Sequence, residues 1–121
     1  MSRKKIKYLS VKWGYINNMA EFTGNKYITS GIQNEISAEV QAILWDMINS
    51  DRNLQKELDY LQVFGLNSIY INGKWMQEII HKQEQPHRVE KITYDTDDPI
   101  SAKIYVIDDI SHCTMLFSHE Y

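Results

Sequence analysis

The sequence predicts an α+β domain, with one main helix packed on a mostly antiparallel sheet of about five to six strands. Three observations carry that expectation. Residues Ser37 to Ser50 hold a clear helical period, several other runs alternate or are apolar on both faces, and Asn72-Gly73 marks a tight hairpin.

The first element read along the chain is Lys7 to Tyr15. Leu9, Val11, Trp13 and Tyr15 alternate there with Ser10, Lys12 and Gly14, the period of a strand with one buried face. Asn17-Asn18 and Thr23-Gly24-Asn25 are turn signals, followed by a short extended piece from Lys26 to Thr29. In the helix, Val40, Ile43, Leu44, Met47 and Ile48 share one face, so Val40, Ile43, Leu44 and Met47 are expected to pack onto the sheet. Ser37 is its N-cap, Glu39 suits the positive helix start, and Asn49-Ser50-Asp51 supplies a polar stop. Trp45 falls off the core stripe.

Beyond the helix the period changes. Leu58 to Leu66 is apolar on both faces, as expected of an interior strand. The Asn72-Gly73 turn, whose central residues both need positive φ, opens a strand from Lys74 to Gln85 that Pro86 ends, because proline cannot donate to a ladder. Tyr94 to Pro99 is read as a loop. Ala102 to Ile107 and Thr114 to His119 are the last two strands. Residues 1–24 form a basic N-terminal extension containing the Lys7 to Tyr15 strand, and 25–121 form the α+β core domain.

The 121 residues amount to one domain, with 43% hydrophobic and 24% charged residues, near globular averages. No apolar run is longer than the four residues of Ala42 to Trp45, far short of a membrane span or a secretory signal. One cysteine, Cys113, excludes an internal disulfide and fits a reducing, cytoplasmic location. The net charge of −3 conceals an asymmetry. Arg3, Lys4, Lys5, Lys7 and Lys12 form an arm without an acid, whereas Asp95, Asp97, Asp98, Asp108, Asp109 and Glu120 face only Lys103 at the other end. A basic arm can track phosphates, and an acidic end can meet a basic partner.

Catalytic and metal chemistry finds little footing in the spacing. His112 and Cys113 are neighbours on a strand, so their side chains diverge and do not chelate one ion. A calcium loop from Asp95 would need glycine sixth and glutamate twelfth, where Ile100 and Val106 stand. Cys113 lies among Asp108, Asp109 and Glu120, which raise a thiol pKa rather than lower it. No metal, cofactor or catalytic residue is therefore expected. The expected working surface is partner-binding instead: Asp97, Asp98, Asp108, Asp109 and Glu120 as an acidic region, and Trp45 as an aromatic anchor. The alternative is a nucleic-acid-binding accessory protein using Arg3, Lys4, Lys5, Lys7 and Lys12. A small metal-dependent enzyme is the least favoured reading.

The segments KYITSGI (26–32), LWDMI (44–48), LDYLQVF (58–64), IIHKQEQP (79–86) and DDPISAKIYVIDDISHCTMLFSHEY (97–121) together resemble a small family, the staphylococcal proteins of unknown function. The resemblance carries no activity, cofactor or catalytic residue. What it implies is context, namely an accessory protein of phages and mobile genetic elements in low-GC Gram-positive bacteria. In that setting the sequence leads to a non-catalytic protein that acts by occupying a host protein, such as a nuclease or another part of a defence system, with no membrane partner.

Overall fold

The computed structural model describes residues 20–121; the expected Lys7 to Tyr15 strand and the basic arm lie outside them. A strand at Asn25–Ile28 (β1) leads into a short helix at Ser30–Glu35 (α1) and the main helix at Ala38–Asn53 (α2). Five strands follow: Leu61–Ile71 (β2), Lys74–Gln83 (β3), Arg88–Asp95 (β4), Ala102–Asp108 (β5) and His112–Phe117 (β6), closed by a 3₁₀ turn at Ser118–Glu120. They make one six-stranded sheet in the order β1-β6-β5-β2-β3-β4. Every neighbouring pair is antiparallel except β1 and β6, which run parallel.

Local chemistry accounts for the helices. Ser37 caps α2, its hydroxyl accepting from the Val40 amide at 3.2 Å. The polar run Asn49-Ser50-Asp51 does not stop the helix, which continues to Asn53 because Asp51 turns inward and Arg52 donates to Asn49 Oδ1 and to the Phe22 carbonyl. The helix ends at a left-handed residue, Gln55 at φ 60°. Its amide bonds the Arg52 carbonyl at 2.9 Å and the Lys56 amide bonds the Asp51 carbonyl at 3.0 Å, a Schellman closure. That closure folds Lys56 back over Asp51. Helix α1 is capped by Thr29, which accepts from the Ile32 amide at 3.2 Å. It was not expected, since six residues around a glycine show no usable period.

The hairpin turn forms as expected, whereas several strand bounds shift. Asn72 and Gly73 take φ of 52° and 81°, the conformation that a two-residue hairpin requires. The strand before that turn runs on to Ile71 rather than ending at Leu66, and β3 ends at Gln83, two residues short of the expected end. Strand β4 is not expected from the sequence: its last two residues, Tyr94 and Asp95, fall in the expected Tyr94 to Pro99 loop, and no element is expected over 88–93. Its exposed, mixed-charge edge position removes the clean alternation that would have marked it. The final strand starts two residues earlier than expected, and His119 belongs to the 3₁₀ turn.

The core lies between the helices and one face of the sheet. Val40, Leu44 and Ile48 from α2 join Ile32 and Ile36 against Phe64, Leu66, Ile79, Ile104, Val106 and Met115. Ile43 and Met47 are only half-buried at its margin. Trp45 also packs at the margin, with the Lys26 ammonium 5.5 Å from its ring centroid.

Candidate functional site

The structure disperses the acidic region that the sequence suggested. Asp108 is buried at 7% exposure rather than displayed. Its Oδ2 accepts from the Glu21 and Phe22 amides and its Oδ1 from the Ile110 amide, so its carboxylate ties down the segment that enters β1. Asp109 shapes the next turn, accepting from the Ser111 hydroxyl and the His112 amide. Glu120 accepts from the Thr29 hydroxyl and the Phe117 amide, both at 2.8 Å. Asp97 and Asp98 remain exposed in the β4–β5 loop. Cys113 is fully buried, and burial followed by the nearby Asp108 carboxylate pushes its thiol up to about 11. It is a neutral thiol at neutral pH.

Three of the expected residues nevertheless gather around one feature, the edge strand β1. All four of its residues are exposed, including Tyr27 at 53% and Ile28 at 37%. Among the described residues its only strand neighbour is β6, so one backbone edge is left unpaired. At one end the ring of His112, held by Asp109 at 3.0 Å, stands edge-on to Tyr27 with centroids 5.2 Å apart. At the other end Glu120 grips Thr29, and Lys26 covers Trp45 from the middle of the strand. Asp109, Glu120 and Trp45 thus surround β1, while Asp97 and Asp98 stand elsewhere and the buried Asp108 reaches the segment that enters it.

A second cluster escaped the sequence reading. Asp51 from α2, Lys56 from its closing turn, His81 from β3, and Arg88 and Glu90 from β4 meet at one end of the sheet. Lys56 Nζ lies 3.4 Å from Asp51 Oδ1 and 3.0 Å from Glu90 Oε2. Arg88 Nη2 lies 3.6 Å from Asp51 Oδ2. His81 is stacked on Phe64 with ring centroids 4.4 Å apart and is 3% exposed. These residues are thirty-nine positions apart at most in sequence and on four elements, so no spacing signal announces them; only the pairing of His81 with Glu90 across β3 and β4 brings them together.

The cluster fixes the tautomer of His81. Gln62 Nε2 donates to the Asp59 carbonyl at 2.8 Å and to Gln83 Oε1 at 2.9 Å, which turns Gln62 Oε1 toward His81. His81 Nε2, 2.6 Å from that oxygen, must therefore carry the proton. Its Nδ1 faces Glu90 Oε1 at 3.3 Å and Asp51 Oδ2 at 3.8 Å. Burial lowers the His81 pKa below 6.5, against the upward pull of Asp51 and Glu90. Burial pushes Glu90 upward, but Lys56 and its other neighbours outweigh it and hold that carboxyl below its ordinary range.

This assigns a sign to the pH dependence of stability. A histidine whose pKa is lower in the fold binds its proton more readily when unfolded, so it costs stability as pH falls below 6.5 and nothing well above it. Urea midpoints at about pH 7.5 and about pH 5.5 are expected to differ more for the wild type than for His81→Gln. Asp59 and Asp108, raised by burial, titrate in the opposite sense in both proteins and drop out of the comparison. Equal losses in the two proteins would show that His81 does not report the pH.

Among the described residues, then, the chain is an α+β domain with helices on one face of a single sheet, and no helix is long and apolar enough to cross a membrane. It belongs to the family described as staphylococcal protein of unknown function, whose model matches residues 25–120. No curated protein matches it. Among solved structures, the crystal structure of a protein of unknown function from Enterococcus faecalis is similar, with a TM-score of 0.61 and 20% identity over 81% of this chain and 91% of that one. At that identity the likeness is one of fold.

Proposed function

We propose that this is a non-catalytic binding protein of a phage or mobile genetic element that acts by occupying a host protein, with the β1 edge as its contact surface. The observation that carries this reading is the exposure of the whole of β1 beside a backbone edge that no other described strand pairs. A free edge offers main-chain hydrogen bonds to an added segment, and alternating side chains supply specificity. Tyr27 and Ile28 are the apolar anchors, and Glu120 is a charged group on the rim. The overall charge of −3, with Asp97 and Asp98 exposed, favours encounter with a basic surface.

The test compares capture from a host lysate by the immobilised chain and by a Tyr27→Arg/Ile28→Arg variant, with mass spectrometry of what is retained. The wild type is expected to retain one dominant host protein, and the variant to lose it by about tenfold or more. Trp75→Arg, at an exposed position on the distant β2–β3 hairpin, leaves capture unchanged. Retention of the same partner by the β1 variant would remove the edge from the reading. Recovery of nucleic acid, released by moderate salt and lost when Arg3, Lys4, Lys5, Lys7 and Lys12 are neutralised, would favour the basic arm.

A further inference from the structure

Two buried polar atoms at the end of the sheet, Asp51 Oδ2 and His81 Nδ1, have no hydrogen-bond partner; the first has only the Arg88 charge, 3.6 Å away. They point at one another and at Glu90, and the three ligand atoms lie within 4.8 Å of each other. From this convergence we propose that Asp51, His81 and Glu90 form a binding site for one divalent transition-metal ion of the Zn²⁺ type.

The distances suit an ion shared by the three groups. With metal–ligand bonds of about 2.0–2.2 Å, two ligands of a tetrahedral ion stand about 3.4 Å apart. Nδ1 is 3.3 Å from Glu90 Oε1 and 3.8 Å from Asp51 Oδ2, separations on either side of that value, and as the unprotonated ring nitrogen it donates to neither. The supporting contacts are also in place. Gln62 holds the other ring nitrogen as a donor, which leaves the Nδ1 lone pair directed at the carboxylates. Lys56 holds neither ligand oxygen: it engages Asp51 Oδ1 and Glu90 Oε2 and competes with the ion through its charge alone. One imidazole and two carboxylates suit Zn²⁺ better than Ca²⁺ or Mg²⁺, which prefer oxygen ligands alone. The bound ion would tie the end of α2 to β3 and to the edge strand β4.

The charges make the site testable. Asp51 and Glu90 are already balanced by Lys56 and Arg88, so an incoming dication meets two cations. Lys56, whose side chain is 35% exposed, is the one free to swing away. Removing it should therefore tighten binding, an effect opposite to that of removing a ligand.

The experiment is calorimetric titration of Zn²⁺ into the full chain after chelator treatment, near neutral pH. One ion per chain is expected to bind, with affinity reduced about tenfold or more in Asp51→Asn and in Glu90→Gln and raised severalfold in Lys56→Ala. Glu90→Gln keeps the size of a side chain on an edge strand, so it preserves the test if Asp51→Asn fails to fold. His87→Ala, on the exposed turn between β3 and β4, leaves the titration unchanged. No stoichiometric binding by the wild type or by Lys56→Ala would overturn the proposal. So would binding that Glu90→Gln leaves intact, because the ion would then sit on other groups.

Discussion

Leu44→Ala is expected to destabilise the protein by about 3 kcal/mol, within the range for a fully buried leucine that loses three carbons. Leu44 has no exposed surface and lies between Val40 and Ile48 in the stripe that α2 presents to the sheet. Alanine has the highest helix propensity, so the loss cannot come from the helix itself. It comes from the cavity left against the sheet and from the apolar area no longer buried. In urea, with a slope of about 1.5–2 kcal/mol per molar, the midpoint should fall by about 1.5–2 M at unchanged slope. A loss below about 0.5 kcal/mol would mean that the neighbouring side chains do not depend on this position, and that the helix is not held by this stripe.

The residues that were legible from sequence are those whose role is set within a few positions of themselves. Ser37 caps α2 because its hydroxyl and the Val40 amide it accepts from are three residues apart, and Asn72-Gly73 turns because the turn is made by those two residues alone. Leu44 was legible because the helical period is local. What was not legible depends on partners far along the chain. Strand β4 exists because β3 offers it an edge, and its own residues show only a weak alternation. The parallel pairing of β1 with β6 joins residues nearly ninety positions apart, which no window along the chain contains. Asp51 was read as a helix stop, yet its inward turn follows from Lys56, His81 and Arg88 around it. The acidic C-terminal region shows the same limit from the other side. Its charges were counted correctly, but the count could not tell a displayed carboxylate from one that accepts backbone hydrogen bonds.

Asp108 is where that distinction has its largest consequence, and Asp108→Lys is expected to cost more than about 4 kcal/mol, enough to compromise folding. The carboxylate accepts from the amides of Glu21, Phe22 and Ile110, and the Asp108 amide itself bonds the Tyr60 carbonyl at 2.9 Å. A buried ammonium in its place would face those donors with another positive charge, and hydrogen bonds to a charged group are the costly ones to lose. Asp109→Lys should be far milder, about 1–2 kcal/mol, because it removes only the turn contacts to Ser111 and His112. The two reversals, adjacent in sequence, therefore separate stability from recognition. Binding lost on changing Asp108 reports unfolding, whereas binding lost on changing Asp109 or Glu120, with the melting curve preserved, reports the flanks of the β1 edge. Denaturant melts decide the matter: Asp108→Lys within about 1 kcal/mol of the wild type would show that the carboxylate does not hold the segment entering β1.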